Sequence, residues 1–217
     1  MNETTTPSVY LVDDDAAVRD AVQMLLIARG FQVRTFSSAE AFLEQCNPDH
    51  SGCLALDIRM PGMSGLKLQE ILGARAIRLP IIFMTAHGDI PMAVEAVKKG
   101  AFDFIEKPFE EERLLQSVGR AIGADVETRM QRKQFASDEA RLASLSDRER
   151  EVLDRVLSGT TSKAIAGELE ISVKTVEFHR ARIMSKLHAG SLAKLFQMAL
   201  PYRMHGSPQR STLEHPA

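Results

Sequence analysis

Short apolar runs that alternate with helical stretches constrain this chain more than any single residue does. Val9-Tyr10-Leu11-Val12, Cys53-Leu54-Ala55-Leu56 and Ile81-Ile82-Phe83-Met84 have no alternation of polar and apolar positions. Strands of that kind are buried on both faces, which calls for a parallel sheet with helices on each side. Residues 31–36 and 102–105 supply two further strand candidates. Helical patterns fill the intervals. Val18, Val22, Leu25 and Leu26 share one stripe, ended by Gly30, and Met92, Val94, Ala96 and Val97 mark a helix closed by Gly100. Further helices are expected near residues 64–75 and 110–122, and Ser37-Ser38-Ala39-Glu40 reads as a capping box opening the helix after the second strand. The pattern is βα five times over, an α/β doubly wound parallel sheet.

All strands of a parallel sheet point the same way, so their C-terminal ends share one edge, where open α/β sheets bind ligands. That edge collects Asp13 and Asp14 from the first strand, Asp57 from the third, Thr85 from the fourth and Lys107 from the fifth. Crowded carboxylates repel unless a cation joins them, and all-oxygen ligation favours Mg²⁺. A lysine and a hydroxyl beside a metal-bound carboxylate suit the oxygens of a phosphoryl group. Asp57 is then the candidate nucleophile, forming an acyl phosphate through a loose transition state that Mg²⁺, Lys107 and Thr85 neutralise. Taken singly, each residue has a plainer reading: an Asp at a strand end as a cap, Lys107 as a solvated loop lysine. Their occurrence together, in order, at the strand ends favours the site.

Charge divides the chain. Residues 1–122 carry 12 basic against 17 acidic side chains, whereas residues 141–206 carry 11 against 7. An acidic half and a basic half suggest different partners, a polyanion for the second. No apolar run approaches the length of a membrane span, and Met1–Ser8 lacks a signal-peptide core. Cys46 and Cys53 are expected to be reduced thiols in a cytoplasmic protein. Residues 123–140 are charged and free of proline, which predicts a semi-rigid helical linker without the apolar heptads of a coiled coil. The tail, residues 207–217, is expected to be disordered.

The second half reads as short helices. Ser146-Asp147-Arg148-Glu149 is a second capping box, opening a helix with Val152, Leu153, Val156 and Leu157 inward. Helices near residues 162–169 and 173–187 flank Glu170-Ile171-Ser172, a helix-turn-helix spacing. On the later helix Val173, Val176, Ile183 and Leu187 form the inward stripe. The other side presents Lys174, Phe178, Ala181, Arg182 and Ser185, flanked by Thr175 and Glu177, as the face for a major groove. Lys174, Thr175, Arg182 and Lys186 suit phosphates, Glu177 suits a cytosine amino group, and Phe178 and Ala181 suit thymine methyls. Phe178 is equally readable as a core or interface residue.

With these motifs in view, residues 8–122 resemble a response-regulator receiver domain. The resemblance rests on Leu11-Val12-Asp13-Asp14-Asp15, Asp57-Ile58-Arg59-Met60-Pro61-Gly62-Met63-Ser64-Gly65, Met84-Thr85-Ala86-His87-Gly88-Asp89 and Asp103-Phe104-Ile105-Glu106-Lys107-Pro108-Phe109. It implies Asp57 as acceptor of a phosphoryl group from a histidine kinase. It implies Mg²⁺ held by Asp14, Asp57 and the Arg59 backbone carbonyl, with Asp13 in the pocket. Thr85 and Phe104 match the switch pair, and the segment from Ala86 resembles the FixJ subgroup. His87 reads as part of the switch loop or as a solvated histidine.

Residues 141–206 resemble a LuxR-type DNA-binding domain through Leu145 to Leu153, Ser162-Lys163-Ala164-Ile165-Ala166 and Ser172-Val173-Lys174-Thr175-Val176-Glu177-Phe178-His179-Arg180. That resemblance implies four helices, the third reading DNA with Arg180 among its contacts and the fourth, near residues 191–200, often serving dimerisation. Together the two resemblances imply a transcriptional regulator of the FixJ/NarL type, not an enzyme beyond its own phosphotransfer and autodephosphorylation. Its partners would be a sensor kinase, promoter DNA, RNA polymerase and, once phosphorylated, a second copy. Two rival readings are a Mg²⁺-dependent aspartyl phosphatase built on Asp13-Asp14-Asp15, which lacks the threonine expected next, and a receiver acting on RNA or protein.

Overall fold

The structure, a computed structural model, describes residues 6–85 and 90–204; His87 and the tail 207–217 lie outside the described residues. The chain folds into two compact units, Met1–Met130 and Gln131–Ala217.

The first unit runs β1 (Ser8–Val12), α1 (Ala16–Ala28), β2 (Gln32–Phe36), α2 (Ala39–Gln45), β3 (Gly52–Asp57), α3 (Gly65–Ala74), β4 (Ile81–Thr85), α4 (Ile90–Lys98), β5 (Asp103–Glu106) and α5 (Glu111–Ala143). The five strands pair in parallel in the order β2-β1-β3-β4-β5. Their side chains alternate between two cores, as the period of a strand requires. Tyr10, Val12, Leu54, Leu56, Ile81 and Phe83 pack with Phe42, Leu68 and Leu72 of α2 and α3. Val9, Leu11, Cys53, Ala55, Ile82 and Met84 pack with Val22, Leu26, Leu114 and Val118 of α1 and α5. Burial pushes the Cys53 thiol up to about 12, so it behaves as a small core residue.

Register fixes the edge. Val12 lies opposite Leu56, Asp57 opposite Met84 and Thr85 opposite Glu106. Asp13 and Lys107 are the next residues after β1 and β5. Gly65 closes the loop behind Asp57: its N–H donates to the Ile58 carbonyl at 2.9 Å, and a Cβ there would lie 2.3 Å from the Asp57 carbonyl oxygen. Only glycine tolerates that approach.

The capping box expected at Ser37–Glu40 is not formed. Ser38, not Ser37, caps α2, accepting from the Ala41 N–H at 3.2 Å. Glu40 thereby falls one position short of the reciprocal site, and its carboxylate accepts from the Met63 N–H at 3.0 Å instead. Helix α5 continues unbroken through residues 123–140. Its early extension is fastened to the segment before β3. Buried Asp125 accepts from the Ser51 hydroxyl at 2.9 Å, the Gly52 N–H at 2.8 Å and Arg129 Nε at 2.8 Å.

The second unit holds α6 (Asp147–Leu157), α7 (Ser162–Glu168), α8 (Val173–Lys186) and α9 (Leu192–Met204). Val152, Leu153, Ile165, Val176, Ile183, Leu187, Leu195 and Met198 make its core, joined by Leu142 from the end of α5. The α6 capping box forms as expected at Ser146 and Glu149. Between α7 and α8, Glu170 takes φ +54°, and the Ile171 N–H closes the turn on the Ala166 carbonyl at 3.0 Å. Ser172 then caps α8 through the Thr175 N–H at 3.0 Å. Val173, expected on the inward stripe, is 45% exposed. As the first residue of α8 it precedes the stretch from Val176 to Leu187 that packs on the core.

Candidate functional site

Four of the sequence-derived residues meet at the C-terminal edge of the sheet. Asp13 is 1% exposed, Asp57 7% and Thr85 3%. Lys107 Nζ bridges the two carboxylates, donating to Asp13 Oδ2 and to Asp57 Oδ1 at 2.6 Å each. The other Asp57 oxygen, Oδ2, accepts from the Arg59 N–H at 2.8 Å. Asp13 Oδ1 accepts from the Asp15 N–H at 3.0 Å, and the Asp13 carbonyl accepts from Arg19 at 2.7 Å. Asp15 caps α1, fixing the start of the helix that follows the acidic turn. The Lys107 N–H donates to the Thr85 carbonyl at 2.6 Å, so β4 delivers Thr85 beside the lysine. Asp14 is exposed next to Asp13.

Burial pushes the Asp57 carboxyl above the ordinary range. The hydrogen bond and charge of Lys107 pull against that, and the charge of Asp13 adds to it. For Lys107 burial favours the neutral amine, but hydrogen bonds to Asp13 and Asp57 outweigh it and raise the pKa. Lys107 is therefore a firmly held cation. Lys107 and the Arg59 N–H reach one Asp57 oxygen each, and a carboxylate oxygen has more than one lone pair to offer an electrophile or ion. Phe104 stands apart from this pocket. It is 39% exposed and lines an outer cleft of about 400 Å³ with Ile105, Glu106, Phe109, Glu110 and Arg113.

The α8 face in the second unit carries the other expected residues. Lys174 is exposed, and Thr175 is half-buried with its hydroxyl 2.8 Å from that of Ser172. Phe178 is 56% exposed, and the Arg182 guanidinium lies over its ring at 5.4 Å from the centroid. A cation over an aromatic face is a favourable contact that holds both side chains. The Ser162 hydroxyl ties α7 to this face, donating to Glu177 and accepting from Arg180 at 3.2 Å. Lys186 points elsewhere. Its ammonium donates at 2.6 Å to Glu149, which is 2% exposed, and it also reaches the Ser144 carbonyl at 3.3 Å. The parts played by Ser162 and Glu149 escaped the sequence reading. The helix-turn-helix motif and the capping box had flagged both residues, but their partners lie on other helices.

Known proteins share both halves. Residues 9–119 match the response regulator receiver domain, and residues 143–199 match the luxR family of bacterial regulatory proteins. The transcriptional regulatory protein FixJ of Bradyrhizobium diazoefficiens is 44% identical over 198 residues, 91% of this chain and 96% of that protein. This chain belongs to the response regulators, in their FixJ-like branch. FixJ of Rhizobium meliloti agrees, at 45% identity over 90% of this chain and 96% of its own length. Among solved structures, the response regulator StyR superposes with a TM-score of 0.83 at 46% identity, covering 91% of this chain and all of StyR, 100%. Full-length FixJ from B. japonicum gives a TM-score of 0.58 at 42% identity over 93% of this chain and 99% of that one.

A FixJ-like response regulator couples a receiver to a DNA-binding domain, so this chain is a phosphorylation-dependent regulator of transcription that works with a histidine kinase and DNA. Among the described residues no helix is long and apolar enough to cross a membrane. Receiver domains typically bind Mg²⁺ at the acidic phosphorylation site. Among the described residues no three acidic, histidine or cysteine side chains form a ready cage. Mg²⁺ does not demand one, because it keeps several waters and takes one or two carboxylates. Asp57, Asp14, Asp13 and the Arg59 carbonyl offer only hard oxygen donors, and Asp57 and Asp13 carry a Lys107 cation that tempers their repulsion. That donor set fits the ion.

Proposed function

We propose that Asp57 accepts the phosphoryl group of a kinase phosphohistidine and that this modification controls DNA binding by the second unit. The observation that carries the reading is the buried Asp57 carboxylate sharing the Lys107 ammonium with Asp13. Asp57 attacks phosphorus as the N–P bond of the phosphohistidine breaks, and the departing imidazole nitrogen keeps the electron pair. Lys107 stays in contact with the carboxylates and neutralises one phosphoryl oxygen. Asp57, Asp14 and the Arg59 carbonyl would hold Mg²⁺, with Asp13 beside it; bound there, the ion spreads the charge of the in-line transition state.

The Thr85 hydroxyl then donates to a phosphoryl oxygen and Phe104 turns inward from its outer cleft. The surface of α4 and β5 changes, releasing the second unit or pairing with a second receiver. A dimer binds a two-fold operator and recruits RNA polymerase in the cytoplasm. Lys174, Thr175 and Arg182 contact phosphates, and Glu177 and Phe178 meet base edges. Arg180 acts from its Ser162 anchor, and Lys186, committed to Glu149, holds α8 in place while adding to the positive field.

Incubating the full chain with acetyl phosphate and Mg²⁺, then mapping the acyl phosphate by mass spectrometry, tests the first half. Label at Asp57, lost in Asp57→Asn and slowed by a chelator, is the expected outcome. Label that persists unchanged in Asp57→Asn would contradict it.

A further inference from the structure

We infer that Glu40, on α2, is a positioning residue for the acidic site, acting through the loop that carries the Arg59 carbonyl. The inference rests on the Mg²⁺ reading given above. The corner where β2 passes into α2 touches both halves of the site. Its Phe36 carbonyl accepts from the Asp13 N–H at 3.2 Å. Four residues on, Glu40 Oε1 accepts from the Met63 N–H at 3.0 Å.

Among the described residues the loop between Asp57 and α3 is also held by the Ile58 N–H on Met84 at 3.2 Å, the Arg59 N–H on Asp57 at 2.8 Å and the Gly65 N–H on Ile58 at 2.9 Å, and Met60 is buried in the core. Glu40 adds a polar anchor on the stretch between Met60 and Gly65. The contact is close on the loop side as well. Gly62 has φ +76°, and a Cβ there would sit 3.0 Å from Glu40 Oε1. The glycine therefore lets the loop lie against the carboxylate, which then holds the loop through its neighbour's N–H. A loop held in this way presents the Arg59 carbonyl at a set place, and an ion of strict octahedral geometry rewards that. Without Glu40 the loop must be ordered when the ion binds, and affinity falls.

The test is Mg²⁺ binding to the full chain by calorimetry, with hydrogen exchange at the Met63 amide alongside. Glu40→Ala is expected to weaken Mg²⁺ roughly threefold to tenfold, the equivalent of one hydrogen bond, and to speed Met63 exchange, with the thermal midpoint unmoved. Glu40→Gln keeps an acceptor oxygen at the same reach and is expected to bind as the native chain does. Native affinity in Glu40→Ala would overturn the inference alone. Equal weakening in Gln and Ala would also overturn it, since lost charge rather than the hydrogen bond would then be responsible. A native chain that binds no Mg²⁺ would overturn the metal reading and the inference with it.

Discussion

Asp57 is held where a carboxylate is costly. Burial raises its pKa, and Asp13 carries a like charge beside the same lysine. A carboxyl whose folded pKa is raised favours the protonated fold, so its ionised form weakens stability as pH climbs from the unfolded value through the folded one. That cost is fully present above the raised folded value. Asp57→Asn is therefore expected to raise the thermal midpoint of the receiver by a few degrees at pH 7, because Lys107 keeps Asp13 as partner. The gain should shrink as pH falls through the raised folded value and be gone below about pH 4, where the unfolded carboxyl also takes its proton. Calorimetric scans at the two pH values check this; a lower midpoint at pH 7 would count against it. Stability given up in this way is what the proposed phosphoacceptor role of Asp57 calls for. The meeting of these side chains at one edge was legible in the sequence because strand ends in a parallel sheet converge whatever the intervening helices do. The Lys107 bridge was less so, since it links side chains 94 and 50 positions apart.

Helices α6 and α8 are joined by a contact that periodicity could not reveal. Glu149 was legible as the N3 partner of Ser146, and Lys186 as a candidate phosphate contact. The structure gives Glu149 a second duty, since Lys186 lies at 2.6 Å and Arg182 at 3.8 Å. Burial alone would raise the Glu149 pKa, but hydrogen bonds from Lys186 and Ser146 hold it below the ordinary value. A depressed carboxyl contributes stability above its unfolded pKa and loses it as pH falls through the folded one. Glu149→Gln should therefore cost the second unit roughly 2 kcal/mol at neutral pH, and the difference from native should fade on acidification. Hydrogen exchange of the α6 and α8 amides reads this directly. Protection that is equal in the two chains at pH 7 would refute the clamp. The Ser38 cap was misread by one position for a related reason: two serines in a row offer two caps, and the choice is made by where β2 ends.

At the scale of the molecule, the two family likenesses stop at residue 119 and resume at 143, and α5 is helical across that interval. Charge and lack of proline made the helix legible. Its fastening was not, because Asp125 and Arg129 read as ordinary solvated charges until Ser51, Gly52 and the His50 carbonyl are found against them. Nothing in local sequence announces a partner so far along the chain. Likewise the five βα units and the helix-turn-helix were plain from apolar spacing, whereas the exposure of Val173 and the outward Phe104 depend on neighbours that only the fold supplies. The central claim is that phosphorylation of Asp57 governs DNA binding, and the direct measurement is a gel-shift titration on a duplex selected from a random pool. Acetyl phosphate is expected to tighten binding of the native chain by at least roughly fivefold, the lower end of ordinary allosteric coupling, and to leave Asp57→Asn unchanged. Equal affinity with and without acetyl phosphate, or the same gain in Asp57→Asn, would contradict the account.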